Sequence, residues 1–293
     1  MTVNDSTRLA PTVAVVTVSF GSEDVLPQFL ESTRAASLGP LYVVVADNKS
    51  GQDPELEALV ATAGAHYLSM PGNLGYGGAV NEAVRHLPES IIWIVVANPD
   101  LVMASGSVDT LIEVAREDER IASVGPATLS SSGDLYPSAR SIPSLRTGVG
   151  HALFLNLWPS NPWSRAYRNE TSGEPVRRDT GWLSGACLLV RRSAFEQIGG
   201  FDAGFFMYFE DVDLGFRFGR AGYRNVYEPA AVVTHTGAHS TNSDPALMID
   251  AHHRSAERFL GKKYSRRSLW PVRVVLRAGL RLRSAIVRRN LDR

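Results

Sequence analysis

The chain has 293 residues, with 30 lysines and arginines against 30 aspartates and glutamates, a formal net charge of zero that argues against a nucleic-acid-coating protein and a strongly acidic one. Apolar residues at 44% and charged residues at 20% are ordinary globular composition and exclude disorder, and the length fits one large domain or two small ones. The zero hides a split: residues 262–293 hold 11 basic residues against one acidic residue, Asp292, so this tail stands at +10 and the first 261 residues at −10.

In chain order, Val13–Val18 is the first continuous β-branched run, and Leu41–Ala46 and Ile91–Ala97 repeat the pattern. Unbroken rather than alternating apolar runs predict strands buried on both faces, as in a parallel sheet. Helices are predicted between them over Glu23–Ala36, Pro54–Ala63 and Tyr76–Leu87, with a short strand at His66–Met70. Strand–helix repetition at this spacing predicts an α/β chain with a doubly wound, mainly parallel sheet and a Rossmann-like first half. Residues Ser130–Asp179, rich in Ser, Pro, Gly and Arg, read as a long excursion. Trp182–Val190 is strand-like, and Ser193–Ile198 is a short helix capped by Ser193 and ended by Gly199-Gly200. Glu210–Ala221 is a helix, Tyr223–Val233 a strand and Pro245–Leu260 a helix. A single cysteine, Cys187, excludes an internal disulfide and a cysteine-built zinc site and fits a reducing cytoplasm. The N-terminus lacks a signal pattern, and no apolar run approaches the roughly 18–20 residues of a membrane span.

In doubly wound sheets ligands bind beyond the carboxyl ends of the strands. Polar residues collect there: Ser19 after the first run, Asp47-Asn48 after the second, a glycine loop Gly72–Gly78, and Asn98-Pro99-Asp100. Asp100 with Asn98 could hold a hard cation such as Mg²⁺ or Mn²⁺, and could equally form a turn and cap a helix. Phe205–Phe209 runs directly into Glu210, Asp211 and Asp213. Carboxylates against an apolar platform suit a general base, while acidic residues at a helix N-terminus also favour the dipole. His235 stands at a strand end and could complete a metal shell, although a lone histidine is more often structural. The glycine loop opens a helix, as phosphate-binding loops do, but matches neither the dinucleotide fingerprint nor the Walker A pattern.

Taken in order, these pieces resemble an inverting family 2 glycosyltransferase of the GT-A fold. The resemblance rests on Val16-x-Val18-x-Phe20, Ala46-Asp47-Asn48-x-Ser50, Gly72-Asn73-x-Gly75-x-Gly77-Gly78-Ala79-x-Asn81 and Asn98-Pro99-Asp100. It continues through Trp182-Leu183-Ser184-Gly185-Ala186, Gly200-Phe201-Asp202, Phe205-Phe206-x-Tyr208-x-Glu210-Asp211-x-Asp213-Leu214, Gly222-Tyr223 and His235. Asn-Pro-Asp with Phe-Glu-Asp-x-Asp-Leu resembles the bacterial rhamnosyltransferase-like branch.

The resemblance implies that Ser19, Asp47, Asn73, Gly75, Asn81, Asn98, Asp100, Trp182, Ser184 and Gly185 line a nucleotide-sugar site. It implies Asp211 as catalytic base with Glu210 supporting it, and a divalent metal, Mg²⁺ or Mn²⁺, at Asp100 and His235. Asn98 departs from the family's Asp-x-Asp motif. The implied reaction carries L-rhamnose from dTDP-L-rhamnose to N-acetylglucosamine on a polyprenyl diphosphate, for cell-wall polysaccharide. Another nucleotide-sugar donor and a non-catalytic sugar-nucleotide binder are the alternatives. A nucleic-acid partner lacks any motif, and the acidic body opposes one. One GT-A domain over residues 1–261 is expected, with a nucleotide-sugar half at about 11–103 and an acceptor half at about 104–261.

Residues 262–293 are expected to form a basic amphipathic tail. Arg273, Arg277, Arg281 and Arg288 fall on one arc of a helical wheel, and Leu269, Val272, Val275, Leu276, Leu280, Ile286 and Val287 spread over the other side. That pattern predicts an interfacial helix on anionic lipid at the inner face of the plasma membrane; a solvated basic terminus or a helix docked on the acidic body is the alternative. Asn169-Glu170-Thr171 reads as a glycosylation sequon that is idle without a secretory route.

Overall fold

The computed structural model describes residues 10–144, 175–237, 245–276 and 278–279. The sequon, residues 145–174 of the expected excursion, and the tail residues Arg277, Leu280, Arg281, Ile286, Val287 and Arg288 lie outside the described residues.

The first half alternates as expected: β1 (Val13–Ser19), α1 (Leu26–Ala36), β2 (Leu41–Asp47), α2 (Pro54–Thr62), β3 (His66–Ser69), α3 (Gly75–Arg85) and β4 (Trp93–Ala97). All seven residues of β1 and all five of β4 are buried, the double-sided burial that their unbroken apolar runs require. Asp53 caps α2 by accepting the Leu56 N–H at 3.0 Å, with Pro54 in the first turn. The chain continues through β5 (Leu101–Met103), α4 (Ser107–Arg116), β6 (Ile121–Ser130), β7 (Leu135–Tyr136) and β8 (Ala139–Arg140). Then come β9 (Arg178–Thr180), β10 (Trp182–Leu183), β11 (Cys187–Arg191), α5 (Arg192–Gln197), α6 (Glu210–Arg220), β12 (Arg224–His235) and α7 (Pro245–Lys263).

The main sheet runs β3-β2-β1-β4-β11-β6-β12-β5. Strands β3, β2, β1 and β4 are parallel, as are β6 and β12, while β11 and β5 run antiparallel to their neighbours. The sheet is therefore mixed and mostly parallel, as expected. One apolar layer packs Leu26, Phe29, Leu56 and Leu111 on one face, and another packs Val80, Phe195, Phe201 and Phe218 on the other.

Four local expectations are revised. The strand expected over Trp182–Val190 is two strands, because Ser184, Gly185 and Ala186 direct their backbone groups to Ser138, Asp211 and Asn98 instead of to a ladder. Helix α5 begins at Arg192 after an extended Arg191 and has no side-chain cap, so Ser193 lies inside it. Within the excursion expected over Ser130–Asp179, β7 and β8 form ordered strands that pair with β6 and β10. Helix α7 runs through Lys263, so the boundary drawn after residue 261 falls inside it.

Candidate active site

The carboxyl ends of β1 and β2 lie side by side, with Ser19 in register with Asp47. Asp47 is fully buried. Its Oδ2 accepts the Tyr67 hydroxyl at 2.8 Å and its Oδ1 the Lys49 N–H at 3.1 Å. A carboxylate offers about four lone-pair positions, so capacity for a ligand donor remains. Ser19 is also fully buried, and its hydroxyl has no partner among the described residues. The next residue, Asn48, ties this edge to the glycine loop. Its Nδ2 donates to Asn73 Oδ1 at 3.0 Å and to the Gly75 carbonyl at 3.3 Å, and its Oδ1 accepts the Leu74 N–H at 2.9 Å. Asn73 Oδ1 also accepts the Gly75 N–H at 3.0 Å, so the turn into α3 is stapled from both sides.

Gly75 has φ +71°, and a Cβ there would stand 2.3 Å from the Phe206 carbonyl oxygen. Left-handed backbone costs a residue with a side chain roughly 1–2 kcal/mol, and here the clash is with main chain. Gly75→Ala is therefore expected to destabilise the fold by about 2 kcal/mol or more, lowering Tm by about 4 °C or more. Gly72→Ala, where a Cβ meets nothing within 4 Å, should leave Tm close to wild type in the same thermal melt. Equal melting of the two variants would contradict the close approach to Phe206.

Asp100 and His235 are brought together by strand pairing. β5 runs antiparallel to β12 with Leu101 opposite His235, which places Asp100 beside the imidazole. His235 Nε2 lies 3.0 Å from Asp100 Oδ1. Asp100 is anchored further by its carbonyl, which accepts the Thr236 N–H at 3.0 Å and hydroxyl at 2.8 Å. Among the described residues no group of three or more His, Cys, Asp and Glu converges as a metal cage. The pair nevertheless suits a hard cation that takes its other ligands from water and substrate phosphates: one carboxylate, one imidazole, both partly reachable by solvent. Asn98 stands next to this pair, its N–H bonded to the Ala186 carbonyl at 2.8 Å.

The same crossing draws in Gly185 and Asp211. Gly185 N–H donates to Asp211 Oδ2 at 2.9 Å, and the Val212 N–H donates to Oδ1 at 2.8 Å. Burial pushes the Asp211 carboxyl above the ordinary aspartate range; these backbone donors and the Arg140 charge oppose the shift in part. Glu210 beside it is buried, its Oε2 has no partner among the described residues, and burial followed by the Asp211 charge pushes its pKa up as well. Tyr76 joins the cluster by donating its hydroxyl to the Gly185 carbonyl at 2.6 Å; burial drives its pKa well up, and Glu210 and Asp211 add to that. A Cβ on Gly185 would come within 3.5 Å of both Asp211 and Tyr76.

The two residues before this acidic pair, Tyr208 and Phe209, both have φ +66°. Two consecutive bulky residues in left-handed conformation are rare and persist only where surroundings over-determine them. Here α7 supplies the support. Ser255 Oγ donates to the Met207 carbonyl at 2.7 Å, and Phe259, fully buried, packs against Phe209 and Phe216 at ring distances of 5.7 Å. Arg258 and Lys262 reach Asp202 at 2.8 and 2.6 Å, and Lys262 also pairs with the fully buried Asp213 at 2.5 Å. Arg217 reaches Asp213 from the other side at 2.6 Å.

Most of the residues expected at the site thus gather at one end of the sheet. Asp47 and Asn73 border one side, Asn98, Asp100 and His235 the middle, and Gly185, Glu210 and Asp211 the other. Asn81 differs. Its Nδ2 donates to the Phe201 carbonyl at 2.8 Å and its Oδ1 accepts the Phe201 N–H at 2.9 Å, so both ends of its amide hold a turn rather than offering themselves to a ligand. Trp182 Nε1 donates to the Ser141 carbonyl at 3.1 Å, and Ser184 Oγ accepts the Ala186 N–H at 3.3 Å. Tyr67, Tyr76 and Arg140 are additional members; their roles come from contacts distant in sequence that no local pattern carries.

Fold and site together define a GT-A glycosyltransferase. The family model described as glycosyltransferase like family 2 matches residues 10–257, and the chain belongs to that family. It is 44% identical over 285 residues to the N-acetylglucosaminyl-diphospho-decaprenol L-rhamnosyltransferase of Mycobacterium tuberculosis, covering 94% of this chain and 92% of that protein. It is 30% identical over 262 residues to the rhamnosyltransferase WbbL of Escherichia coli, covering 86% and 93%. Among solved structures, the Pyrobaculum calidifontis mannosyltransferase in complex with GDP-Man and Mn²⁺ superposes with a TM-score of 0.58 at 14% identity, covering 94% of this chain and 71% of that one.

Proposed function

We propose that the protein transfers L-rhamnose from dTDP-L-rhamnose to a hydroxyl of N-acetylglucosamine carried on a polyprenyl diphosphate, with inversion at the transferred carbon. The observation that carries the mechanism is the Asp211 carboxylate, fixed by the N–H groups of Gly185 and Val212, with the next residue Ala186 bonded to Asn98 beside the Asp100–His235 pair. The choice of sugar and acceptor rests on the 44% identity to the M. tuberculosis enzyme.

In this reading Asp47, Asn73 and the Gly75 turn hold the nucleotide, and Trp182, Ser184 and Gly185 border the transferred sugar. Asp211 takes the proton from the acceptor hydroxyl as that oxygen bonds to the anomeric carbon. The bond from that carbon to the diphosphate oxygen breaks in the same displacement, and the nucleoside diphosphate leaves. No covalent enzyme intermediate is needed. Asp100 and His235 would hold a Mg²⁺ or Mn²⁺ ion, which would supply positive charge to the departing diphosphate. Burial, followed by the Asp211 charge, raises the Glu210 pKa and so favours its neutral form beside the base.

The test is a panel of nucleotide sugars with a polyprenyl-diphosphate-linked N-acetylglucosamine. The disaccharide should form with dTDP-L-rhamnose and with no other donor in the panel. Formation with a different donor overturns the rhamnose assignment; binding without turnover overturns catalysis.

The tail is assigned to an anionic membrane surface. No helix among the described residues is long and apolar enough to cross a bilayer. Trp270, Val274 and Val275 are exposed on the helical stretch 270–276, and Arg266 and Arg267 precede them. Arg273, expected on the cationic arc, turns back and donates to the Tyr264 carbonyl at 2.8 Å. Deleting residues 265–293 while keeping α7 should reduce sedimentation with phosphatidylglycerol vesicles and leave thermal stability nearly unchanged. Undiminished sedimentation contradicts the membrane role.

A further inference from the structure

We propose that Arg140 is the anion-binding residue that recognises the acceptor's own diphosphate. The inference deepens the glycosyl-transfer reading above and rests on it.

Arg140 sits in β8 directly opposite Trp182 of β10. The chain leaving β10 passes through Ser184 to Gly185, whose N–H holds Asp211. The short β8–β10 pair therefore places Arg140 three residues of chain from the Gly185 N–H that holds the base, by way of its partner Trp182. Its backbone is pinned: the carbonyl accepts the Gly181 N–H at 3.0 Å and the Thr180 hydroxyl at 2.9 Å. Its side chain is held as well. The guanidinium carbon lies 5.7 Å from the Tyr136 ring centroid and 5.8 Å from that of Trp182, and Nε donates to the Pro137 carbonyl at 2.9 Å. These contacts leave both terminal nitrogens without a hydrogen-bond partner among the described residues. Other guanidiniums that border the sheet are engaged, among them Arg191 with backbone carbonyls, Arg217 with Asp213 and Arg224 with Asp118 and Asp179.

A planar guanidinium held by two rings and one carbonyl, with its terminal donors unengaged, is suited to bidentate recognition of a phosphate. Its charge is felt at Asp211, so it stands within electrostatic range of the base. The donor's diphosphate is assigned to the Asp100–His235 pair. A second diphosphate enters this reaction only on the acceptor, whose hydroxyl must reach Asp211. Arg140 is tied to the base's neighbourhood by the β8–β10 pair and lies in the acceptor half of the chain.

The test compares wild type with Arg140→Gln and Arg140→Lys on two acceptors: an N-acetylglucosaminyl diphosphate on a short prenyl chain, and a neutral alkyl N-acetylglucosaminide. Loss of a charge-assisted contact should raise KM for the diphosphate acceptor about 10- to 100-fold in Arg140→Gln. The ratio of kcat/KM between the two acceptors should fall by the same factor, donor KM should hold, and Arg140→Lys should recover part of the ratio. An equal loss on both acceptors, with a displaced acid limb in the pH profile, would overturn the proposal in favour of a role in tuning Asp211; so would unchanged kinetics. Binding of citronellyl diphosphate, measured in chelator, separates the two levels of inference. Binding that weakens in Arg140→Gln supports the anion site even if no rhamnose is transferred, and binding indifferent to the substitution overturns it.

Discussion

Asp211→Asn should lower turnover by about 10²–10⁴-fold, the range that a positioned general base contributes, while dTDP-L-rhamnose binds as tightly as to wild type. The asparagine keeps the size of the side chain and can still accept one of the two backbone N–H bonds from Gly185 and Val212. Fold and donor site are therefore preserved, and what is lost is a lone pair able to take a proton. The wild-type pH profile carries a second signature. The base must be ionised to act, and burial raises its pKa, so activity should fall as pH drops through a value above the ordinary aspartate range. Single-turnover rates between pH 4 and pH 8 read both effects. Near-wild-type turnover in the variant, or an acid limb at the ordinary aspartate value, would reject Asp211 as the base.

Asp100→Ala should be nearly as damaging. His235 loses its 3.0 Å carboxylate partner, and the pair that could hold a divalent ion loses its only carboxylate. Chelation of wild type with EDTA should likewise stop transfer, and Mg²⁺ or Mn²⁺ should restore it; Asp100→Ala should respond weakly to either. Isothermal titration of Mn²⁺ into the two proteins provides a readout independent of turnover. Binding of equal strength to both would remove Asp100 from the metal site, and full activity of wild type in chelator would remove the metal from the reaction.

Much of the nucleotide half was legible because its signals are local. Strands β1 and β4 are buried on both faces throughout and β2 over its last four residues, and that burial writes itself into the sequence as unbroken β-branched runs. The polar residues that follow them fall at the strand ends, where this fold class places its ligands. Helix α4 was not among the expected elements, although Val108, Leu111, Ile112 and Ala115 recur at helical spacing. Strand β6 was hidden by composition: Gly125 and Pro126 interrupt it, and Gly125 is needed because a Cβ there would lie 2.6 Å from Leu183. The site's remaining geometry arises from long-range contacts. Nothing near Arg140 in the sequence marks it, since Trp182 and the base are more than forty positions away. Nor does any pattern foretell left-handed Tyr208 and Phe209, which are aromatic residues in a conformation usual for glycine. Asn81 shows the converse limit: it belongs to the glycine-loop motif, but its amide closes on Phe201 instead of facing a ligand.

The clasp between α7 and the turn at Tyr208 and Phe209 imposes an order on the birth of the molecule. Asp202, Phe209 and Asp213 are synthesised well before Ser255, Phe259 and Lys262, the residues that hold them. At ribosomal rates of about 5–20 residues per second the interval is on the order of seconds. During it the Rossmann-like half can already be complete, since among the described residues its strands pair only with each other and with β11. A nascent chain would then be able to grip a nucleotide before it can activate an acceptor, and the base would come into position only as the last long helix closes over it.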